Sequence, residues 1–431
     1  MSQFLGENMY QFAAELYPIC RSITGNGVRE TLRRVGNHIP LRVHEVPTGT
    51  PVFDWAVPKE WEIRDAYVKN SRGVRVIDFQ KCNLHVLNYS TPVSARLRLA
   101  DLKPHLFSLP EHPEWVPYRT SYYAERWGFC LSHNQMASLP DDEYEVCIDS
   151  SLKPGSLTYG ECYLPGEITD EVLLSCHVCH PSLANDNLSG IALAAFAAKA
   201  LHDLPRRRYS YRFLFIPGTI GSITWLAMNE ANVARIKHGL VLSCVGDAGH
   251  CTYKKSRLGN AEIDRAVALV LGQSGAHSEI IEFSPYGYDE RQYCSPGFNL
   301  PVGCYMRTPN GRYPEYHTSA DNMELLKPEA LADSHSKLMA ILSVLERNRR
   351  YLNQNPKCEP QLGKRGLYQT LGGSAEGRAR EMALLWVLNL SDGVHSTLDI
   401  AERSRLDFQL IQSAADALEE SGLLKRISPS V

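Results

Sequence analysis

Apolar positions recur at helical spacing over residues 5–19 and again over 26–38, with Gly25 and Gly27 between them. That spacing predicts two amphipathic helices. From about residue 42 to 112 the period falls to two. Short alternating runs (LRVHEV, RVRVIDF, NLHVLNY, ARLRLA) are broken by Pro, Asn and Gly, which predicts a small β-rich module. Residues 113–128, PEWVPYRTSYYAERWG, are dense in aromatics and suit either a cleft lining or a packed loop. Beyond about residue 140, strand-like and helical runs take turns. EYEVCIDSSL, SLTYGECYLPG, EVLLSCHVC, YSYRFLFIP, HGLVLSCVGD and LPVGCYMR have strand character. GIALAAFAAKALHDL, SITWLAMNEANVARI, NAEIDRAVALVLGQSG and LLKPEALADSHSKLMAILSVLERNRR have helical character. This alternation predicts an α/β fold, a mostly parallel mixed sheet with helices on both faces.

Residues 352–376 are polar and carry Pro and Gly, as a linker would. Residues 378–426 then give a helix, a short helix, a longer helix and a closing strand, which is a winged-helix pattern. The domain scheme expected from these changes is an α/β domain over 1–41 and 113–351, an inserted β-rich domain over 42–112, a linker over 352–376, and a winged helix over 377–431. The helix that a winged helix offers to DNA, about 406–421, carries Asp407, Asp416, Glu419 and Glu420 and no Lys or Arg. Such a surface repels phosphates. Nucleic acid is therefore not an expected partner, and a structural or dimerisation role is expected for this domain.

The chain has 431 residues, 44% apolar and 22% charged, with a formal net charge of −3. This balance is that of an ordinary globular protein and points to neither a polyanion nor a membrane surface. No run of 18 apolar residues exists, so no membrane-spanning helix is expected. The segment MSQFLGENMYQFAAELYPIC lacks the basic start and long apolar core of a signal peptide. The twelve cysteines are scattered singly, as in a chain kept reduced in the cytoplasm.

That compartment bears on residues 173–190, LLSCHVCHPSLANDNLSG, where Cys176-His-Val-Cys179-His180 has the letters of a c-type haem attachment site. Haem is attached after export, so this reading is disfavoured. A thioredoxin-like dithiol is disfavoured too, because its CxxC should open a helix, whereas Pro181 and a polar loop follow. Ligands of open α/β sheets sit at the carboxyl ends of the strands. His177 and His180 end one predicted strand, Asp186 lies in the next loop, Asp247 ends another strand, and His317 lies in a loop after a third. Imidazole and carboxylate together suit zinc, and an open coordination position is what a hydrolytic zinc needs.

The segments His177…Asn185-Asp186-Asn187-Leu188-Ser189-Gly190, Gly246-Asp247 and Tyr316-His317-Thr318-Ser319-Ala320-Asp321-Asn322 resemble the zinc aminopeptidase superfamily. That group includes bacterial leucyl aminopeptidases and glutaminyl cyclases. The most similar branch is one of bacterial aminopeptidase-like proteins with a small inserted β domain and a C-terminal winged helix. The resemblance covers nearly the whole chain. It implies His177, Asp186, Asp247 and His317 as metal ligands, with Asp186 the residue that bridges two metals in dinuclear members. It implies that Asn185 and Asn187 hold the Asp186 turn and that Asp321 fixes the loop. It also implies a glutamate base that activates water.

This chain departs from the pattern at that base. Where dinuclear members carry Glu-Glu, and the most similar branch Glu-Thr, Gly218-Thr219 stands here. Thr219 removes one metal ligand, which favours a single Zn2+ over two, on His177, Asp186 and His317 with Asp247 uncertain. Gly218 removes the base, and loss of a general base costs about 10²–10⁴-fold in rate. Glu290 and Glu315 are candidate substitutes; otherwise the chain is a metal-binding homologue of little activity or a disabled variant. The stretch Tyr288 to Gly297 is a candidate substrate loop, with Arg291 or Glu290 gripping a terminal charge and Tyr293 beside them. Arg307 is a second candidate for a substrate carboxylate. The expectation is a cytoplasmic zinc-dependent aminopeptidase-like hydrolase, acting on a peptide or small amide and forming a homo-oligomer, with the β module capping the cleft or making a subunit contact. The alternative is a non-catalytic zinc-binding homologue acting in binding or assembly. A winged-helix regulator with an α/β sensor domain is the weakest expectation.

Overall fold

The run Glu171–His177 is buried at every position, as a strand covered on both faces must be. It pairs in parallel with Ser210–Ile216 on one side and with Ile236–Leu242 on the other. This computed structural model describes residues 2–367 and 375–427. Its large sheet has eight strands, in the order Arg42–Pro47, Ser156–Leu164, Ser210–Ile216, Glu171–His177, Ile236–Leu242, Val302–Met306, Cys251–Lys254, Ser278–Ile281. The four inner strands are parallel, so their carboxyl ends emerge together along one edge. Helices flank the sheet. The alanine-rich helix Ser189–His202 is buried over most of its length and lies against the strands; its small side chains permit that close approach.

The β-rich module differs in its boundaries from the expected 42–112. Arg42–Pro47 belongs to the large sheet, paired antiparallel with Ser156–Leu164. Val46 is buried there and His44 stacks on Tyr159 at 4.8 Å. The module's own four-stranded sheet runs Arg75–Asp78, Glu60–Lys69, Glu143–Lys153, Val93–Arg98. It takes in Glu143–Lys153, which the local pattern assigns to the α/β domain. The alternation along that strand is informative. Tyr144, Val146, Ile148 and Ser150 are buried and their neighbours are not, the signature of a sheet with one wet face. The neck of the module is narrow, because the Thr48 amide donates to the Gly155 carbonyl at 2.9 Å and the Gly155 amide to Thr48 Oγ1 at 3.0 Å.

The chain divides into two compact units, residues 1–264 with 277–336, and residues 265–276 with 337–431. In the second unit a three-stranded sheet, ordered Asp392–Ser396, Arg350–Asn353, Leu424–Arg426, packs with helices Ala375–Leu390, Thr397–Ser404 and Phe408–Glu420. This is the winged helix. The expected linker begins too early at 352, since buried Tyr351 and its neighbours form the middle strand of this sheet. Residues 368–374 of that segment lie outside the described residues. Ser396 and Asp399 form a reciprocal cap on the short helix, and Asp407 caps the long one. Arg265 pairs with Asp399 at 2.5 Å and with Glu402. Among the described residues no helix is long and apolar enough to cross a membrane.

Leu174 is fully buried in the central strand. Leu174→Ala should cost about 2–5 kcal/mol of unfolding free energy, seen as a lower urea midpoint with an unchanged slope.

Candidate metal centre

The four parallel strand ends carry the site. His177 is the last residue of its strand. The loop Ala184–Leu188 follows and leads into helix Ser189–His202. This loop is held from three sides. The Asp321 carboxylate accepts the backbone N–H groups of Asn185 (2.6 Å) and Asp186 (3.0 Å). The Asn185 side chain donates to Asp247 (3.0 Å) and accepts the Gly246 amide (2.9 Å). The Asn187 side chain donates to the Leu242 carbonyl (3.0 Å) and accepts the amides of Gly190 and Cys244. The Asn185 and Asn187 side chains are thereby committed to the scaffold, and the Asp186 carboxylate is turned toward the histidines.

Asp186 is fully buried. His177 Nε2 lies 2.9 Å from its Oδ1, and His317 Nε2 lies 2.9 Å from its Oδ2. His180 Nδ1 is 3.1 Å from the same Oδ2. Three tyrosines set the imidazole planes. Tyr288 stacks on His177 at 5.2 Å, Tyr316 stacks on His317 at 4.0 Å, and Tyr118 stands edge-on to His180 and His317. Tyr118 comes from the aromatic segment of the sequence, which is tied to the His317 loop by its own amide donating to the His317 carbonyl at 2.7 Å. That segment is therefore part of the site wall.

Burial alone would push the Asp186 carboxyl up, but the charge of His180 and hydrogen bonds from His177, His180 and His317 hold it well below the usual carboxylate range. Burial would lower His180, and the Asp186 charge overrides it and holds His180 well above the ordinary imidazole value. His177 is lowered by burial, against the pull of Asp186. A buried carboxylate with three imidazole nitrogens around it is a donor set that fits a divalent metal of zinc type. The ligand atoms of His177, His180 and Asp186 lie within 4.8 Å of one another. A metal bound here would take the place of the His180 proton as the counter-charge.

Three of the four expected ligands, His177, Asp186 and His317, come together. Asp247 does not join them. Its oxygens accept Asn185 Nδ2, the Gly249 amide (2.7 Å), and the Thr308 amide and hydroxyl (3.2 and 2.6 Å), so it anchors the loop. His180 enters the cluster in its place. The spacing His177-x-x-His180 was the available signal, but it works only because the chain turns back at Pro181.

The cavity beside the cluster has a volume of about 160 Å³ and is lined in part by His177, His180, Gly218, Asp289 and His317. Glu290 is not in its wall; it is fully buried in an ion pair with Lys254 at 2.8 Å. Glu315 uses its backbone carbonyl to accept from Thr318, and its carboxylate does not line the cavity. Tyr293 is sealed in the core with its hydroxyl on Ser175 (2.9 Å). Arg307 is spent on the Gly249 carbonyl (2.7 Å) and Asp333 (2.7 Å). Arg291 also lies off the cavity wall. The structure thus corrects the substrate-binding expectation for Tyr293 and Arg307, whose polar atoms are already occupied, and the base expectation for Glu290, which lies off the cavity wall with one carboxylate oxygen held by Lys254. A larger cavity of about 770 Å³ lies in the second unit, lined by Leu352, Leu385, Leu388 and others with no imidazole among them.

Residues 10–348 match the family model described as a domain of unknown function, DUF4910. The chain belongs to the DUF4910 family. Residues 349–426 match a winged helix-turn-helix model. A relative from Clostridium acetobutylicum, described as "Putative polysaccharide biosynthesis protein with aminopeptidase-like domain", is 54% identical over 98% of this chain and 97% of its own length. A crystal structure from Clostridium acetobutylicum superposes with a TM-score of 0.94 at 53% identity, over 99% of this chain and 97% of that one. A zinc aminopeptidase from Bacillus subtilis shares the fold at a TM-score of 0.59 and 11% identity, over 79% of this chain and 94% of that one. A peptidase M28 precursor from Shewanella amazonensis does so at 0.56 and 14%, over 80% and 96%. The DUF4910 portion of the chain thus has the zinc aminopeptidase fold.

Asp321→Ala would strip two loop amides of their acceptor, and zinc affinity measured by chelator competition should fall about 10–100-fold. A second outcome concerns Asp289, whose carboxyl burial pushes up from 3.8 to about 7. The folded chain then binds a proton that the unfolded chain has lost, so the penalty for the buried carboxylate is absent below the lower value and complete above the upper one. In thermal melts of metal-free protein, Asp289→Asn should gain on the parent as pH rises from about 5 to about 8.

Proposed function

We propose that this chain is a zinc-dependent, aminopeptidase-like hydrolase of a peptide or small amide. The observation that carries the reading is the fully buried Asp186 carboxylate with three imidazoles on it. It stands at the carboxyl edge of the sheet in a chain with the zinc aminopeptidase fold. His177, His180, Asp186 and His317 are the residues that would hold the ion. One zinc is favoured over two, because Gly218 and Thr219 bring no carboxylate and Asp247 is saturated by loop hydrogen bonds. When bound, zinc supplies Lewis acidity toward a carbonyl and a water.

The chain's own residues do the rest. The tyrosines packed on the imidazoles keep the donors oriented. The cavity of about 160 Å³ is well below the roughly 300–1,000 Å³ of drug-sized pockets, so the group admitted next to the scissile bond is small. The amide of an amino acid or an N-acylated sugar meets that limit, and the description of the Clostridium relative as a polysaccharide biosynthesis protein supports trying both. Twelve unpaired cysteines support a reducing compartment such as the cytoplasm. The second reading, a non-catalytic zinc-binding homologue acting in binding or assembly, is favoured by one observation, the glycine at position 218.

Elemental mass spectrometry of the purified protein should find about one zinc per chain, lost in His317→Ala, as a site of this donor set requires. Aminoacyl anilides or N-acetylated amino sugars should be cleaved, with activity removed by chelator and restored by zinc. Protein without zinc would defeat the reading. Zinc-loaded protein that turns over neither class would move the choice to the non-catalytic homologue.

A further inference from the structure

Position 218 poses a chemical problem. A site that activates water needs a proton acceptor, and glycine has none. A Cβ built on Gly218 would lie 3.1 Å from the His177 Cβ and 3.5 Å from each carboxylate oxygen of Asp289. The space that a side chain from 218 would enter is thus already faced by a carboxylate from another element, the short helical turn that begins at Glu290. We infer that Asp289 is the proton acceptor of this centre, standing in for the side chain that Gly218 lacks. The inference rests on the hydrolase reading above.

Three observations support it. Asp289 is the one carboxylate among the residues lining the cavity beside His177 and His180. Its two oxygens are treated differently, for Oδ1 accepts the Ser222 hydroxyl at 3.0 Å while Oδ2 is buried with no partner. One oxygen is anchored and the other is free to take a proton. The rivals fail on geometry, since Glu290 is locked to Lys254 and Glu315 does not reach the cavity. The groups facing Asp289 are His180 and Arg291, which favour its charge, Glu290, which opposes it, and the neutral Cys176 and Tyr293. Burial outweighs them and raises the carboxyl to about 7 in the metal-free protein.

In the step proposed, a water O–H bond breaks and its proton goes to Asp289 Oδ2 as the water oxygen bonds to the amide carbon. The C–N bond then breaks with its electron pair on nitrogen, and the same proton passes from Asp289 to that nitrogen. The products are a carboxylic acid and an amine, with no change of oxidation state. The geometry also bears on the glycine. A glutamate at 218 would set a second buried carboxylate against Asp289, and two like charges in one buried site cannot both ionise cheaply.

The test combines a spectroscopic and a kinetic readout. In the infrared spectrum of metal-free protein at about pH 6, a protonated-carboxyl band missing from Asp289→Asn should vanish when zinc is added to the parent, because a nearby cation favours the carboxylate. A band insensitive to zinc would place Asp289 away from the ion and overturn the inference. At equal zinc content, Asp289→Asn should lower kcat/KM for an aminoacyl anilide by about 10²–10⁴-fold; a loss under twofold would overturn it. Should Asp289→Asn not fold, Ser222→Ala serves instead. Loss of the hydroxyl that favours the carboxylate should move the acidic limb of the kcat/KM profile to higher pH, and an unmoved limb would count against Asp289. A zinc-responsive band in a parent that cleaves no amide would sink the hydrolase reading and the acceptor role with it, an outcome distinct from an active Asp289→Asn.

Discussion

A carboxylate sealed from water must be neutralised where it sits. Asp186 is that group in this protein, and much of the surrounding architecture follows from it. Three histidines supply the compensation. Because they come from two separate loops, those loops must be held in register to within a hydrogen bond. The Asp321 carboxylate, the Asn185 and Asn187 amides and the Tyr118 amide do this holding. The parallel sheet brings these elements together, since its inner strands deliver their carboxyl ends to a single edge.

Four aspartates near that edge show how surroundings decide the role of one side chain. Asp186 is stripped of water and surrounded by imidazoles, so it stays charged and offers its oxygens inward. Asp321 and Asp247 meet backbone amides and small polar groups, which use up their lone pairs on positioning. Asp289 has one oxygen satisfied and one left over.

The large features were legible in the sequence. Alternating apolar runs and helical stretches described the α/β sheet, and the Asn185-Asp186-Asn187 and Tyr316-His317 segments pointed to the centre. Other features were not. Glu143–Lys153 pairs with Glu60–Lys69 across some eighty residues, and local periodicity is silent about partners at that separation. Glu290 and Asp289 are neighbours in the chain, yet one turns to Lys254 and the other to the cavity; nothing in their order said which. Arg307 and Tyr293 had the right chemistry for binding, but their contacts come from distant segments that consume it. His180 depended on the reversal of the chain after the strand.

The β module has a further meaning for how this chain is put together. Its entry and exit strands, Arg42–Pro47 and Ser156–Leu164, are hydrogen-bonded partners that end opposite each other at Pro47 and Ser156. The exit strand is also the neighbour of Ser210–Ile216, the strand that leads to Gly218. The module is therefore not a detachable cassette on slack tethers. Its stem is woven into the scaffold, and a deletion that excised it with its stem would unravel the border of the sheet two strands from His177.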